Sequence, residues 1–536
     1  QAIYDIGNIS VKMFELYNKL VEETGTSGDQ ANAIHTYATL FEKMANDPNE
    51  IAGNFLLFKS YVASMSTWMY TELGQSIVAD YFVIGGTNDE LPPAMATTLD
   101  FVKFEIRAFI ASFKMDYTTI DFVIEEGQEY SYDDDDVVEV WIASGRDDAL
   151  IKRRLADNYF TPETGYKMRY KVISLSVINA VLAGIGPDIS DLGANDAITW
   201  GLRDGVLPLN DMKNFDEVCT WFDNSLLEQC SLYGVTYGLP ISMDFYMTFY
   251  RSDVFYNLGI DVPTTWEELY DTLPTLQANN MEVGLPIGLE GTKLFLYQRN
   301  IELYKENGMQ INLDSNAALD AFTDLCNMYT KYNCPVSYDL TRFRSGEIPL
   351  VVASFTTYNS LMGFVEIRGL WEMAPLLGIK GEDGSINHTS VSTTATATCL
   401  LRGCGNPDAA WAYISWLRSD EAETLTNRES RLLNNPTTKF QTVNTNVFLA
   451  QPWTISERAA ISEQLKQLAG IPYYPGNYIV STYVDSAFQI VYANKTNPAD
   501  EMLNRIIYIN REISRKREDF RMETYEDLQE SANTNQ

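Results

Sequence analysis

Histidine and cysteine, the residues that most often carry catalysis or bind zinc, are scarce in this 536-residue chain. The two histidines, His35 and His388, fall in a helical region and in a loop, so the sequence suggests no Ser-His-Asp or Cys-His set. The six cysteines form three near-neighbour pairs, which permits disulfides, although we favour free buried thiols. No C-x-x-C spacing occurs, so zinc is not predicted. The pairs are Cys219 with Cys230, Cys326 with Cys334, and Cys399 with Cys404.

Two other motifs have an alternative enzymatic interpretation. Gly184-Ile185-Gly186 partly matches a dinucleotide-binding fingerprint, but these glycines precede a predicted strand and cannot place a phosphate at a helix N-terminus. Glu267 and Glu268 could form a glycosidase pair. They follow Thr264 and Thr265, so we interpret them as acids in the first turn of a helix that one of these threonines caps. We therefore predict no catalytic residue, no metal and no cofactor.

The formal net charge of −34 restricts the partners of the chain. Such an acidic protein repels phosphate backbones and anionic lipids, so we predict no nucleic-acid partner and no membrane-surface binding. The charge suits a soluble protein with a neutral or cationic ligand. No apolar run is long enough to span a bilayer, and the most apolar stretches, such as 348–355, have the length of a strand.

The hydrophobic pattern changes along the chain. Residues 1–125 are predicted to be helical, because Ile6, Ile9, Met13, Leu16 and Leu20 recur at spacings of three and four. Residues 126–136, which end in four aspartates, are predicted to be an acidic linker. From residue 137 onward strands alternate with helices, which indicates a largely parallel sheet with crossover helices.

Six segments, in this order, resemble family 1 of the extracellular solute-binding proteins of ABC importers. They are Val138–Asp147, Ala183–Ile189, Tyr237–Asp253, Leu258–Glu268, Phe343–Ala353 and Ala409–Ala422. Gly369-Leu370-Trp371, Ala450–Trp453 and Ile509–Arg517 are similar to a subgroup of large Gram-positive members with a helical segment ahead of the binding protein. Many members carry Gly-x-Trp after the strand that ends at Ala353, whereas this chain reads Ser354-Phe355-Thr356-Thr357-Tyr358.

The resemblance implies an α/β, two-lobed periplasmic-binding-protein-like fold of type II, similar to maltose-binding protein, preceded by an α-helical domain. It places one lobe at about 137–243 and 390–440, the other at about 248–385 and 445–520, and a polar tail at 521–536. It implies a monomer that captures a solute, typically a sugar or oligosaccharide, and delivers it to the permease subunits of an ABC transporter. It also implies an extracellular, cell-surface location and lipid anchoring of the full-length precursor.

The alternatives are a ligand-sensing domain of the same fold that acts on a receptor and, less favoured, a carbohydrate-active enzyme. The helical segment could also be a separate partner-binding or cell-wall module.

Residues on loops that leave strand ends are the candidate ligand contacts, because open α/β sheets bind ligands beyond the carboxyl ends of their strands. Carboxylates, amides and hydroxyls suit sugar hydroxyls, and flat aromatic rings suit sugar C–H faces. Asp244 is the residue that the resemblance places at the first crossing between the lobes, with a helix cap as its alternative role. Trp141 and Trp371 are predicted to lie in the core. The candidates are Ser144, Arg146, Asn195, Asp196, Asp244, Phe245, Phe355, Thr356, Tyr358, Tyr474 and Tyr478.

Overall fold

A computed structural model describes residues 2–24, 29–54, 57–58, 61–62, 65, 98–112, 119–120, 137–173, 177–433 and 438–534. The chain divides into two compact units. One comprises Gln1–Ala94 and Ser360–Arg368, and the other comprises Met95–Asn359 and Gly369–Gln536. The predicted acidic linker at 126–136 lies outside the described residues, as does the predicted boundary near residue 125.

The elements of both units are numbered in chain order. The strands are β1 Thr119–Ile120, β2 Val137–Ile142, β3 Lys167–Val172, β4 Ile189–Gly193, β5 Ser231–Leu232, β6 Val235–Thr236, β7 Leu239–Pro240, β8 Tyr246–Tyr250, β9 Val283–Gly284, β10 Tyr304–Lys305, β11 Gln310–Ile311, β12 Leu350–Ser354, β13 Glu372–Ala374, β14 Ile379–Lys380, β15 Ile386–Asn387, β16 Ser390–Val391, β17 Thr396–Leu400 and β18 Leu468–Ala469. The α-helices are α1 Ala2–Thr24, α2 Asp29–Asn46, α3 Thr98–Ser112, α4 Arg146–Leu155, α5 Thr161–Thr164, α6 Val177–Leu182, α7 Ala194–Gly201, α8 Phe215–Cys219, α9 Asn224–Gln229, α10 Ser252–Leu258, α11 Trp266–Ala278, α12 Gly288–Tyr297, α13 Asn316–Thr330, α14 Leu340–Ser345, α15 Thr357–Met362, α16 Pro407–Leu417, α17 Asp420–Leu433, α18 Thr445–Ala450, α19 Ile455–Gln464, α20 Tyr478–Asn494, α21 Pro498–Asp519 and α22 Tyr525–Thr534. A π-helical turn, Ala156–Phe160, connects α4 to α5, and short 3-10 turns occupy Glu306–Gly308 and Val365–Ile367.

The first unit is built on helices α1 and α2, which pack against each other, so the prediction of a helical start is confirmed. Their shared core consists of Met13, Ile34, Ala38 and Phe41. The Ser10 hydroxyl crosses between the helices and donates to the Ala38 carbonyl oxygen at 2.8 Å. The apolar face that the spacing predicted is only partly buried, because Ile9 and Leu16 remain exposed.

The second unit contains a six-stranded sheet in the order β1-β3-β2-β4-β17-β7, which we call the first lobe. β2 runs parallel to β3 and β4, as the alternation of strands and helices predicts, whereas β17 is antiparallel to β4 and β7. β1 lies at the edge and pairs with β3, although the sequence predicted helix there. A run of apolar side chains is buried on both faces of β2, which explains why Trp141 lies in the core, as predicted.

The second lobe is a four-stranded sheet in the order β13-β8-β12-β9. β8 is central and pairs antiparallel with β12 and β13. The helices α11, α12, α13, α20 and α21 contribute buried apolar side chains to one continuous core under this sheet. Helix α11 begins as predicted: Thr265 accepts from the Glu268 backbone N–H at 3.2 Å, and the Glu268 carboxylate accepts from the Thr265 N–H at 3.3 Å.

Paired segments of chain connect the two lobes. Asp244 and Thr393 exchange two backbone hydrogen bonds of 2.9 and 2.8 Å, and β16 runs parallel to β18. All six cysteines are free, and four of them are buried. In the described part of the chain, no helix combines the length and the apolar composition needed to cross a membrane.

Candidate functional site

Four of the predicted contact residues line one cavity of about 180 Å³. Asn195 and Asp196 lie in the first turn of α7, directly after β4, and Ala197 on that helix packs into the first-lobe core. Tyr474 lies in the loop before α20 and packs against the second-lobe core, and Tyr478 is the first residue of that helix. The cavity therefore has walls from both lobes. Its remaining lining residues are Ile198, Thr199, Leu202, Arg203, Tyr473, Pro475, Gly476, Asn477, Lys516 and Phe520.

The tyrosines of this cavity are held in place by their neighbours. The Tyr474 ring lies 5.1 Å from the Tyr304 ring, centroid to centroid, in an edge-on arrangement. Gly308, whose φ is +79°, passes so close that a Cβ at that position would collide with the Tyr474 ring. The Tyr478 hydroxyl donates to the Glu512 carboxylate, and this hydrogen bond, together with partial burial, raises the pKa of Tyr478. The cavity thus offers fixed aromatic surface beside amide, carboxylate and ammonium groups, which suits a small polar ring.

Asp244 lies where the chain passes from the first lobe to the second. Its carboxylate accepts from the Phe245 backbone N–H at 3.0 Å and from the Thr356 backbone N–H at 3.3 Å. Burial raises the pKa of Asp244, although hydrogen bonds from Ser354 and Thr356 oppose the shift. The alternative prediction, that Asp244 caps a helix, is wrong, because strand β8 begins at Tyr246. Thr356 is exposed and neighbours Asp244, so these two candidates occur together.

Phe245, Phe355 and Tyr358 belong to a buried aromatic cluster, and the expectation that they contact a ligand is corrected. Their side chains are 1%, 0% and 2% exposed. The Phe355 ring lies 5.4 Å from Phe245, 5.7 Å from Tyr358, 5.3 Å from Phe448 and 5.8 Å from Trp453, centroid to centroid. Side chains packed this tightly on one another present no surface to a solute. Trp371, which packs on Tyr358 at 5.5 Å, is buried as predicted.

Ser144 and Arg146 follow β2 and are exposed at the start of α4. The Ser144 hydroxyl donates to the Asp148 carboxylate at 2.5 Å, one turn along that helix. Neither residue is among those that line the 180 Å³ cavity. The structure therefore separates the candidates into the cavity group, the Asp244–Thr356 pair, the buried cluster and these two residues on α4.

Sequence reasoning missed a larger cavity of about 930 Å³, which shares Tyr474 with the smaller one. One wall comes from α9 and the opposite wall from the region around Glu302. Burial, with Glu302 and Asp223 nearby, raises the pKa of Glu228. The walls come from regions far apart in sequence, so no local pattern marks them. By contrast, Thr199 and Arg203 of the smaller cavity follow Asn195 at steps of four, which a helical projection could have found. The lining of the larger cavity includes Asp223, Asn224, Ser225, Glu228, Tyr297, Asn300, Glu302, Tyr304, Glu306, Asn307 and Tyr474.

No group of three or more His, Cys, Asp or Glu side chains within the described ranges is arranged to hold a metal ion. The smaller cavity offers hydroxyl, amide and aromatic groups, which can hydrogen-bond to a polar solute and pack on its apolar faces.

Comparison with known proteins identifies relatives of this chain. A protein of Brucella abortus (strain 2308) that is named as a binding protein is 22% identical over 359 residues, which cover 62% of this chain and 82% of that protein. The sugar-binding protein MalE of Xanthomonas citri superposes with a TM-score of 0.60 at 16% identity, over 72% of this chain and 100% of MalE. A cyclo/maltodextrin-binding protein in complex with maltotetraose superposes with a TM-score of 0.56 at 19% identity, over 73% of this chain and 98% of that protein.

The GacH receptor of Streptomyces glaucescens, solved without ligand and with acarbose, gives a TM-score of 0.55 at 16% identity, over 70% of this chain and 98% of the receptor. At these identities the solved structures establish the two-lobed fold. Residues 144–424, more than half of the chain, match the family model of bacterial extracellular solute-binding proteins, and the chain belongs to that family.

Proposed function

We propose that this protein captures a sugar or oligosaccharide between its two lobes. The observation that carries the proposal is the cavity lined by Asn195 and Asp196 on one lobe and by Tyr474 and Tyr478 on the other. A solute that touches both lobes favours the closed arrangement, because it makes its full set of contacts only there. The cavity of about 180 Å³ is small, so a longer sugar would extend beyond it.

The chemistry of the lining supports a sugar. Carboxylate, amide and phenol groups can pair with ring hydroxyls, and tyrosine faces can cover the C–H surface of a pyranose. The solved relatives named above bind maltotetraose and acarbose, and another of the same fold binds cycloalternan. These ligands make α-glucosides and their analogues the first class to test.

The proposed role continues with delivery of the solute to the permease subunits of an ABC importer. It places the protein outside the cell as a monomer, with lipid anchoring of the full-length precursor retained as a prediction. The family supports the delivery step, since its members are solute-binding proteins. We also retain the prediction that no chemistry is performed on the solute.

A thermal-shift screen against maltose, maltotetraose, cycloalternan, acarbose and tagatose tests the proposal. A solute present at about 100 times its dissociation constant should stabilise the folded protein by about 2.7 kcal/mol. Small-angle scattering should then show a smaller radius of gyration when that solute is added. If amino acids or peptides raise the melting temperature and no sugar does, the sugar assignment fails. Recovery of a hydrolysed sugar after incubation would contradict the prediction that the protein is not an enzyme.

A further inference from the structure

A hairpin of the first lobe contacts the second lobe through its tip. Strands β5 and β6 form this hairpin, and Tyr233 and Gly234 connect them. The hairpin is anchored in the first lobe, because Cys230, just before β5, and Tyr237, just after β6, pack in the first-lobe core. The Tyr233 side chain is half exposed, and its hydroxyl makes its hydrogen bonds with the second lobe.

The Tyr233 hydroxyl is the middle member of a short chain of hydrogen bonds. The Arg517 guanidinium donates to it through Nη1 at 2.5 Å, and the hydroxyl donates to the Asn307 carbonyl oxygen at 3.1 Å. Both partners belong to the second lobe: Arg517 follows Ile513 of the second-lobe core on α21, and Asn307 shortly precedes Ile311 of the same core. A hydroxyl can donate and accept in this way, whereas a phenylalanine at this position could do neither.

The backbone on both sides of this contact adopts left-handed conformations. Tyr233 has a φ of +51° and Gly234 a φ of +81°, the signs found in a type I′ hairpin turn. Asparagine, aspartate or glycine usually fills the first of these positions, because a bulky side chain is disfavoured at positive φ. In the second lobe, Glu306 and Asn307 both have a φ of +51° and precede Gly308. Strained residues persist only where surrounding contacts hold them, which favours a role for the Tyr233 side chain beyond that of a turn residue.

Tyr233 also packs on a residue that lines the smaller cavity. The Tyr233 and Tyr474 rings lie 6.0 Å apart, centroid to centroid. Tyr474 therefore contacts one ring from each lobe, Tyr233 of the first and Tyr304 of the second. Tyr233 itself is not among the residues that line the 180 Å³ cavity or the 930 Å³ cavity. It can thus position Tyr474 without being part of either wall.

A second contact between the lobes involves the end of the same helix. The Phe520 ring, directly after α21, lies 5.1 Å from the guanidinium carbon of Arg203, which shortly follows α7 of the first lobe. Both residues line the smaller cavity. The earlier turns of α21 are fixed in the second-lobe core by residues such as Ile509 and Ile513. The end of α21 therefore meets the first lobe at two places, Tyr233 and Arg203.

We propose that Tyr233 is a latch: it holds the two lobes in the arrangement that forms the smaller cavity, and it positions Tyr474 there. A contact shifts the equilibrium between open and closed lobes only if it exists in one arrangement and not in the other. The hydrogen bonds of Tyr233 with Arg517 and Asn307 meet that condition, because they require the hairpin to lie against the second lobe. Loss of the latch lowers the fraction of molecules ready to capture a solute, and the apparent affinity falls with that fraction. This consequence for capture rests on the proposed function, whereas the latch itself can be tested without any solute.

Hydrogen exchange of the solute-free protein provides one test. In Tyr233→Asn, residues 304–311 and 471–478 of the second lobe should exchange faster, although the substitution is in the first lobe, because the turn at 306–308 loses a hydrogen bond and Tyr474 loses a neighbouring ring. Tyr233→Phe keeps the ring, so it should speed exchange at 304–311 and largely spare 471–478. Faster exchange confined to the hairpin, residues 231–236, would contradict the latch, as would no change in either second-lobe segment.

The distance between the lobes, again without solute, provides the decisive test. Spin labels carried by unnatural amino acids at two exposed positions, Leu182 in the first lobe and Tyr256 in the second, report that distance by double electron–electron resonance. Tyr233→Asn removes the phenol but suits a left-handed turn, so the hairpin should fold at least as well as in the wild type. We expect a shifted and broader distance distribution for this variant and the wild-type distribution for Tyr159→Asn, the control, which replaces an exposed tyrosine elsewhere in the first lobe. Identical distributions in the wild type and Tyr233→Asn would overturn the proposal, whatever the melting temperature of the variant.

Discussion

Two groups of aromatic residues in the second unit occupy opposite environments, although the same argument predicted both to bind ligand. The buried aromatic cluster holds Phe245, Phe355 and Tyr358, which are at most 2% exposed. The cavity tyrosines, Tyr474 and Tyr478, line an accessible space, and Tyr478 is 51% exposed. Members of both groups were chosen as residues on loops that leave strand ends. The position of a residue in the order of elements therefore does not decide whether its side chain faces a cleft.

The local environment of each residue decides whether its side chain faces a cleft or the core. Phe355 and Thr356 form the turn between β12 and α15, in which Phe355 packs into the buried aromatic cluster while Thr356, the next residue, is exposed beside Asp244. Tyr478 begins a helix whose inward face is formed by Val480, Val484 and Ala487, which leaves its own ring outside. The cluster should therefore govern stability, and the cavity tyrosines should govern affinity.

The largest expected effect is a loss of stability on replacement of a residue of the buried aromatic cluster. Phe355→Ala should lower the free energy of unfolding by about 3–5 kcal/mol, because it removes a ring that contacts four other aromatic residues. Denaturant unfolding measures the change, and Phe355→Leu, which keeps most of the volume, should lose much less. An alanine variant of unchanged stability but weakened sugar binding would reverse the assignment of the cluster.

Asp244 directly precedes Phe245 of the buried cluster, and its replacement should lower affinity while leaving stability unchanged or higher. Burial raises its pKa, so the folded state binds the proton more tightly, and ionisation lowers the stability as the pH rises through the folded-state pKa. Asp244→Asn removes that cost. The solute-free variant should be at least as stable as the wild type at pH 7, with a smaller advantage at acid pH, while affinity should fall about tenfold, or ~1.4 kcal/mol. Calorimetric titration and melting curves at pH 4 and 7 measure both quantities, and unchanged affinity would remove Asp244 from the site.

Replacement of Tyr478 tests whether the cavity tyrosines govern affinity. Tyr478→Ala should weaken sugar binding by about 1 kcal/mol through loss of aromatic surface, and it should change the free energy of unfolding by less than about 0.5 kcal/mol because the ring is half exposed. Isothermal titration and denaturant unfolding of the one variant separate the two effects. A large loss of stability with unchanged affinity would place Tyr478 with the cluster.

The smallest expected effect is on stability, and it comes from loss of the hydrogen bond that the Tyr478 hydroxyl donates to Glu512. Arg515, followed by a smaller contribution from Tyr478, lowers the pKa of Glu512 to about 2. The lowered pKa stabilises the folded protein above the usual glutamate range, and this stabilisation is lost as the pH falls through about 2. Since Arg515 makes the larger contribution and the Glu512 carboxylate is only partly buried, Tyr478→Phe should change the free energy of unfolding by less than about 0.5 kcal/mol at pH 7. Melting curves of the wild type and Tyr478→Phe between pH 2 and 7 would show whether the difference in stability is larger than this or varies with pH.

The sequence predicted the parts of the fold that local patterns control. The parallel strands of the first lobe and the cap of α11 follow from short stretches of chain, and the structure confirms them. The six-segment resemblance predicted the family. Features that depend on residues far apart in the chain were missed. Lys516 on α21 lines the same cavity as Asn195 on α7, and the walls of the 930 Å³ cavity come from separate regions. The helix alternative at Asp244 failed because the following apolar run pairs on both sides as a central strand.

The place of β17 in the first-lobe sheet has a consequence for the order in which the protein is made and folded. β17, at residues 396–400, is inserted between β4, at residues 189–193, and β7, at residues 239–240, and the ribosome releases both of these strands long before β17. Until β17 emerges, β4 and β7 each present an unpaired edge, and the first lobe cannot close its sheet. Contacts of such long sequence separation form slowly. The second-lobe strands β8, β9, β12 and β13 are all synthesised before that point, so the lobe that begins later in the chain can complete its sheet first.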